Sequence, residues 1–168
     1  MKNYFLLFSI LCFIGLAYGQ SLPEFQIKNT KNGNVTRDSI LNTKKVTVIN
    51  FWANWCAPCK EEMMEIKKIQ SLPEFKDIQF ISISIDKKED IENAKSWFFK
   101  RNKSTWKLYF DSEKSLFKKV LALTNNTSSS IPVCLVLDSN GELISLRQGF
   151  DQEKYKDELL EDIKSIKR

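Results

Sequence analysis

Apolar blocks alternate with amphipathic blocks along most of this chain, a pattern typical of alternating strands and helices. Residues 46–52 form an almost unbroken apolar run rich in β-branched and aromatic side chains, and they predict a buried strand. Over about 57–70, apolar residues recur at helical spacing, at Met63, Ile66 and Ile69. The pattern therefore places a strand shortly before an amphipathic helix.

The same alternation continues to the end of the chain. It predicts a strand at 78–85, a helix at about 89–101, a strand at 106–110, a helix at 113–121, two strands at 133–137 and 142–146, and a closing helix at 152–167. The sequence Asp-Ser-Asn-Gly at 138–141 is a turn, so the last two strands form an antiparallel hairpin. The alternation before them predicts an α/β fold, with a parallel core sheet and helices on both faces.

A smaller element is expected ahead of this core. Phe25 and Ile27 alternate with polar residues in a strand candidate at 22–27, and an Asn-Gly turn follows at 32–33. These features predict an N-terminal β-hairpin. Residues 37–41 are expected to form a short connector between the hairpin and the buried strand.

The first 19 residues have the pattern of a secretory signal. Lys2 precedes a nearly all-apolar stretch at 4–16, and Ala-Tyr-Gly at 17–19 fits a small-x-small cleavage site. The stretch is shorter than the roughly 20 residues that a membrane-spanning helix needs, although an uncleaved anchor stays an alternative. We expect residues 1–19 to be a signal peptide and residues 20–168 to form one domain, a size that a single core supports.

The distribution of charge argues against one class of partner. The chain of 168 residues has 26 basic and 21 acidic side chains and a net charge of +5. Basic residues stand beside acidic ones, as at 60–62 and 87–90, and form no block interleaved with aromatic residues. This is the pattern of a solvated surface, so no nucleic-acid partner is expected.

Two cysteines, Cys56 and Cys59, stand where the predicted strand ends and the helix begins, with Ala57 and Pro58 between them. Unpaired backbone N–H groups and the helix dipole favour an anion there, so they lower the pKa of the Cys56 thiol and activate it for disulfide exchange. Cys59 lies about one turn into the helix and is shielded. A structural disulfide and half of a zinc site are the alternatives. Zinc needs two more ligands, and the chain has no His and only two other cysteines.

The sequence Phe-Trp-Ala-Asn-Trp-Cys-Ala-Pro-Cys-Lys at 51–60 resembles the active-site segment of the thioredoxin superfamily, and more narrowly its exported TlpA/ResA-like branch. The resemblance implies a thioredoxin-like α/β fold. Its central mixed sheet is flanked by helices and extended by the N-terminal hairpin and a strand–helix insertion within 78–110. It also implies an exported thiol:disulfide oxidoreductase whose redox-active group is the Cys56–Cys59 disulfide, with no other cofactor and no metal.

The resemblance implies a second part of the site. Pro132 would form a cis peptide bond facing the dithiol, and the backbone of Ile131 would pair with an extended substrate segment. From the residues alone, a proline at the first position of a strand is ordinarily trans. Trp55 is expected to cover the disulfide and line the groove, whereas Trp52 is expected in the core.

Proton transfer at Cys59 needs a base. The related branch carries a Glu three residues after the second cysteine, which here is Glu62, while thioredoxin's buried Asp is replaced by Asn50. Glu62 is therefore the expected proton acceptor, with a solvated first-turn acid as the alternative. Cys134 is expected to be a core residue, because free cysteines are among the most buried residues.

The direction of electron flow follows from Ala57 and Pro58. No His stabilises the reduced thiolate, so the protein is expected to be a reductant. Its expected partners are disulfide-bearing proteins of the periplasm, apocytochrome c among them, and a membrane-bound donor that re-reduces it; a monomer is expected. A disulfide oxidase or isomerase with the same site is the main alternative. A thiol peroxidase needs Thr where Ala53 stands, and a binding module with an incidental disulfide is a third alternative.

Overall fold

The computed structural model describes residues 20–41, 45–123 and 128–166. The signal peptide expected at 1–19 lies outside the described residues. Within the described part of the chain, every helix is too short or too polar to traverse a bilayer.

The secondary structure follows the predicted order closely. Its strands are β1 (Gln26–Asn29), β2 (Asn34–Thr36), β3 (Thr47–Trp52), β4 (Gln79–Ser84), β5 (Lys107–Phe110), β6 (Val133–Leu137) and β7 (Leu143–Gln148). Its helices are α1 (Arg37–Ile40), α2 (Ala57–Ile69), α3 (Ile91–Lys95), α4 (Ser115–Leu121) and α5 (Tyr155–Ile166). Both the N-terminal hairpin and the C-terminal hairpin are present.

These strands form one mixed sheet in the order β2-β1-β5-β4-β3-β6-β7. The central strands β3, β4 and β5 are parallel, because helical crossovers connect them. Strands β6 and β7 are antiparallel to their neighbours, as is the β1–β2 hairpin, which joins the sheet through β5. All six residues of β3 are buried. The predicted mixed sheet is confirmed, and the segment expected as an insertion supplies β4, which lies in the middle of it.

Three local predictions were wrong in detail. The connector at 37–41 contains the one-turn helix α1, which begins with a capping box between Thr36 and Ser39 and buries Ile40. The first strand begins at Gln26 rather than at 22, since Pro23 has no N–H for a ladder hydrogen bond.

The helix expected at about 89–101 is the third difference. It begins with one 3₁₀ turn, Lys88–Asp90, continues as α3, and ends in wider π-type turns at Ser96–Arg101. Consecutive aromatic residues explain the widening. Trp97 and Phe98 both pack on Trp52, whose ring centroid lies 5.4 Å from that of Trp97 and 6.2 Å from that of Phe98. A wider turn reduces the angle between successive side chains, so both rings can face Trp52.

Candidate active site

The end of β3 and the start of α2 place the two cysteines together. Cys56 is the N-cap of α2, Pro58 lies in its first turn, and Cys56 and Cys59 form a disulfide. The backbone N–H of Cys59 donates to Cys56 Sγ across 3.2 Å. An N–H group directed at this sulfur stabilises a thiolate after reduction, as expected for a cysteine at the start of a helix.

The two sulfurs differ in how far solvent can reach them. Cys56 keeps 5% of its surface exposed and Cys59 keeps none. An incoming disulfide therefore meets Cys56 first, and Cys59 stands behind it. Trp55, directly before Cys56 in the chain, is 67% exposed, whereas Trp52 is fully buried, as predicted.

The loop before β6 faces the disulfide. The Ile131–Pro132 peptide bond is cis, as the resemblance implies. The Ile131 carbonyl oxygen lies 3.8 Å from Cys56 Sγ, so this backbone borders the outer sulfur. The structure thus brings Cys56, Cys59, Ile131 and Pro132 together.

Glu62 lies inside the protein, one turn after Cys59 on α2, with no exposed surface. The solvated alternative is therefore wrong. Asn50 Nδ2 donates to Glu62 Oε2 across 3.4 Å, while Oε1 has no hydrogen-bond partner among the described residues. Burial raises the pKa of Glu62 to about 8, because desolvation outweighs the opposing hydrogen bonding from Asn50 and Tyr155. A carboxyl group with this pKa can both accept and return a proton near neutral pH.

Cys134 is a core residue, as predicted. It pairs with Asn50 across the β3–β6 ladder and is 1% exposed. Its Sγ lies 3.6 Å from the Tyr155 hydroxyl. Desolvation by burial, followed by the charge of Glu62, raises the pKa of this thiol, so it stays protonated and is a poor nucleophile.

Sequence reasoning missed Asp86, which fixes the turn before the cysteines. Both of its carboxylate oxygens accept the backbone N–H of Asn54, at 3.0 and 2.9 Å, and one also accepts from Ser84 Oγ. Its position two residues after the end of β4 was the available signal, because parallel strands end at the same edge of a sheet.

Replacing Asp86 with alanine is expected to destabilise the oxidised protein by about 1–3 kcal/mol, since the Asn54 N–H loses its partner. Urea unfolding at pH 7 measures this. Glu89→Ala changes an exposed acid in the same loop and is the matched control, expected to stay within about 0.5 kcal/mol. Equal losses in the two variants would show that Asp86 does not hold the turn.

Fold and site together define a thioredoxin-like protein with a Cys-x-x-Cys disulfide at the start of a helix. The sequence model of the AhpC/TSA family matches residues 18–145, and the chain belongs to this family.

Individual relatives agree with this class. The chain is 26% identical over 111 residues to sporulation thiol-disulfide oxidoreductase A of Bacillus subtilis, covering 66% of this chain and 64% of that protein. The matched region is thus less than two thirds of that relative. It is 24% identical over 150 residues to thiol-disulfide oxidoreductase ResA of Geobacillus kaustophilus, covering 89% of this chain and 79% of that protein. A thiol-disulfide oxidoreductase structure from Bacteroides fragilis, 23% identical, superimposes with a TM-score of 0.63 over 84% of this chain and 98% of that one, and supports the fold.

Proposed function

We propose that this protein is an exported reductant of protein disulfides. The observation that carries the proposal is the asymmetry of the two sulfurs. Cys56 is partly exposed and accepts an N–H at the start of α2, and Cys59 is sealed behind it. An outer sulfur stabilised as a thiolate and an inner sulfur protected from solvent are the attacking and resolving groups that disulfide exchange requires.

Reduction of a partner proceeds in two exchanges. The Cys56 thiolate attacks one sulfur of the partner disulfide, forms a mixed disulfide and releases the other partner sulfur as a thiolate. Cys59 then gives its proton to Glu62 and attacks Cys56 Sγ. The Cys56–Cys59 disulfide forms, the second partner thiolate leaves, and two electrons have passed to the partner.

The return half of the cycle reverses these roles. One thiolate of a membrane-bound dithiol donor attacks Cys56 Sγ and releases Cys59 as a thiolate, to which Glu62 returns its proton. The donor's second thiol then attacks the donor sulfur of this mixed disulfide, so Cys56 leaves as a thiolate and the donor is oxidised to its disulfide. Burial raises the pKa of Glu62 to about 8, so both of its protonation states are accessible near neutral pH. The same carboxyl group can therefore accept a proton from Cys59 in one half of the cycle and return it in the other.

The partners are disulfide-bearing proteins in the envelope, precursors of c-type cytochromes among them. Trp55, Ile131 and Pro132 border Cys56 and are the proposed substrate-binding residues. An extended segment would add to the Ile131 backbone, as peptides add to other exposed backbone edges. The signal pattern at 1–19 supports export to the periplasm, and the protein is proposed to act as a monomer.

A thiol peroxidase is the competing activity that the family name raises. Ala53 stands at the position where such an enzyme carries a threonine hydroxyl. This alanine is fully buried, and its backbone carbonyl accepts the N–H of Cys56 at 3.0 Å. No hydroxyl is available there to position a peroxide beside Cys56, so disulfide exchange is the better-supported chemistry.

The direction of electron flow is tested by a redox titration against glutathione. We expect a potential near that of thioredoxin, about −270 mV, because no histidine between the cysteines stabilises the reduced form. Ala57→His adds such a group at an exposed position and is expected to shift the potential towards oxidising values. A wild-type value near −120 mV, that of a strong oxidant, would assign the protein to the disulfide oxidases instead.

A further inference from the structure

Three polar side chains run through the sheet to Glu62, and we call Trp106, Ser82 and Asn50 the polar chain. Trp106 Nε1 donates to Ser82 Oγ at 2.7 Å, and Ser82 Oγ donates to Asn50 Oδ1 at 2.6 Å. Asn50 Nδ2 then donates to Glu62 Oε2 at 3.4 Å. All of these residues are buried, with exposed fractions from 9% for Trp106 to 0% for Ser82 and Glu62.

The sheet brings these distant residues together. Asn50 on β3 and Ser82 on β4 are register partners in a parallel pair, so their side chains lie on the same face. Trp106 directly precedes β5, the neighbour of β4, while Glu62 comes from α2. Each member of the polar chain therefore comes from a different segment, and the connection exists only in the folded protein.

The hydrogen bonds of the polar chain all run in one direction, from the indole N–H towards Glu62. An indole N–H can donate but cannot accept, so Ser82 Oγ accepts from Trp106, and the Ser82 hydroxyl in turn donates its hydrogen to Asn50 Oδ1. That hydrogen makes the Asn50 carbonyl oxygen the atom facing Ser82, and turns the NH₂ group towards Glu62. Oε2 consequently accepts in either protonation state, and the proton of a neutral Glu62 belongs on Oε1.

We propose that the polar chain positions Glu62: it holds Oε2 and leaves Oε1 as the oxygen that carries the transferable proton. The assignment rests on the proposed role of Glu62 in proton exchange with Cys59. Oε1 fits it, because this oxygen is buried and has no other partner among the described residues. The polar chain touches neither sulfur, so its members are positioning residues.

The two titratable side chains that face Glu62 stay protonated near neutral pH. Tyr155 of α5, which also hydrogen-bonds to Glu62, and Cys134 of β6 face it, and burial raises the pKa of both above their ordinary values. Arg147 of β7 and Asp162 of α5 act on Cys134 and form an ion pair with each other. In the oxidised protein the active-site cysteines are a disulfide. A titration near pH 8 in this cluster therefore reports Glu62.

Trp106→Phe tests the proposal because it removes the N–H and keeps an aromatic ring. Ser82 is then free to reverse its hydroxyl and Asn50 to turn its amide, so Glu62 loses a fixed donor. We expect its pKa in the oxidised protein, followed by NMR of the carboxyl carbon, to rise by about one unit, a tenfold change in proton affinity. The pH at which the reduced protein half-maximally resolves a mixed disulfide should move upward with it.

Trp52→Phe is the matched control, since Trp52 is also a buried tryptophan and its indole N–H has no partner among the described residues. It is expected to leave the Glu62 titration unchanged. Ser82→Ala removes the hydroxyl that links Trp106 to Asn50 and changes the packing less than Trp106→Phe does. It is expected to raise the Glu62 pKa as well, so it tests the proposal if Trp106→Phe does not fold.

The proposal is overturned if the Glu62 pKa is the same in wild type, Trp106→Phe and Ser82→Ala. It is also overturned if Trp52→Phe shifts the titration equally, since packing alone would then be the cause. A shift in the two polar-chain variants together with an unimpaired Glu62→Gln enzyme would uphold the positioning of Glu62 and reject its catalytic role. The two claims can therefore fail separately.

Discussion

Replacing Cys59 with serine is expected to leave the protein covalently joined to its substrates. Cys56 still attacks a partner disulfide, but no second sulfur stands behind it to release the product. Turnover in an insulin-disulfide reduction assay should fall by about three orders of magnitude or more. Mixed disulfides should accumulate and run as larger species on non-reducing gels, from which mass spectrometry identifies the partners.

Two further variants control this experiment. Cys56→Ser in the same background removes the attacking sulfur and should trap nothing. Cys134→Ser in the Cys59→Ser background should leave trapping unchanged, because the Cys134 thiol is 1% exposed and its raised pKa keeps it protonated. Adducts that persist without Cys56 would move the attacking role to another residue.

Replacing Glu62 with glutamine is expected to remove the proton acceptor while keeping the shape of the side chain. Resolution of the mixed disulfide by Cys59 should slow by about 10²–10⁴-fold at pH 7, and its pH dependence near pH 8 should disappear. Single-turnover kinetics from pH 6 to 9 measure both. Glu61→Gln, an exposed acid in the same turn of α2, should behave like wild type. An unchanged pH profile in Glu62→Gln would exclude Glu62 from the chemistry.

The same variant should stabilise the oxidised protein at neutral and alkaline pH. The pKa of Glu62 rises from 4.5 to about 8 on folding, so between these values the folded state holds a proton that the unfolded state has lost. Stability therefore falls as pH rises through this window, by about 1.4 kcal/mol per unit, and the loss reaches about 3 kcal/mol at pH 7. Urea unfolding of Glu62→Gln should lack this dependence, and that of Glu61→Gln should retain it.

Local pattern was sufficient for most of the fold. The order of strands and helices followed from the spacing of apolar residues, and the hairpins from their turn residues. The placement of Cys56 and Cys59 at a strand–helix junction is equally local, since it needs only the end of one periodicity and the start of another. The cis bond at Pro132 was expected only through the family resemblance, because a proline by itself is ordinarily trans.

Prediction failed where several segments meet. Helical spacing placed Glu62 one turn from Cys59. The helix sequence does not reveal whether other elements cover that face, so a solvated Glu62 remained an alternative. Ser82 appeared as an interruption in a run of isoleucines, and Trp106 as one more apolar residue. Their connection to Asn50 depends on which strands become neighbours in the sheet.

The sequence by itself determined the class of fold and the placement of the two cysteines at a strand–helix junction, because periodicity and helix ends are properties of short stretches. The tertiary structure alone decided which sulfur solvent reaches and how deeply Glu62 is buried. It also decided that Asn50, Ser82 and Trp106 connect to Glu62. Burial and strand pairing depend on residues far apart in the chain, and they set the dielectric environment and the hydrogen-bond partners that determine a pKa.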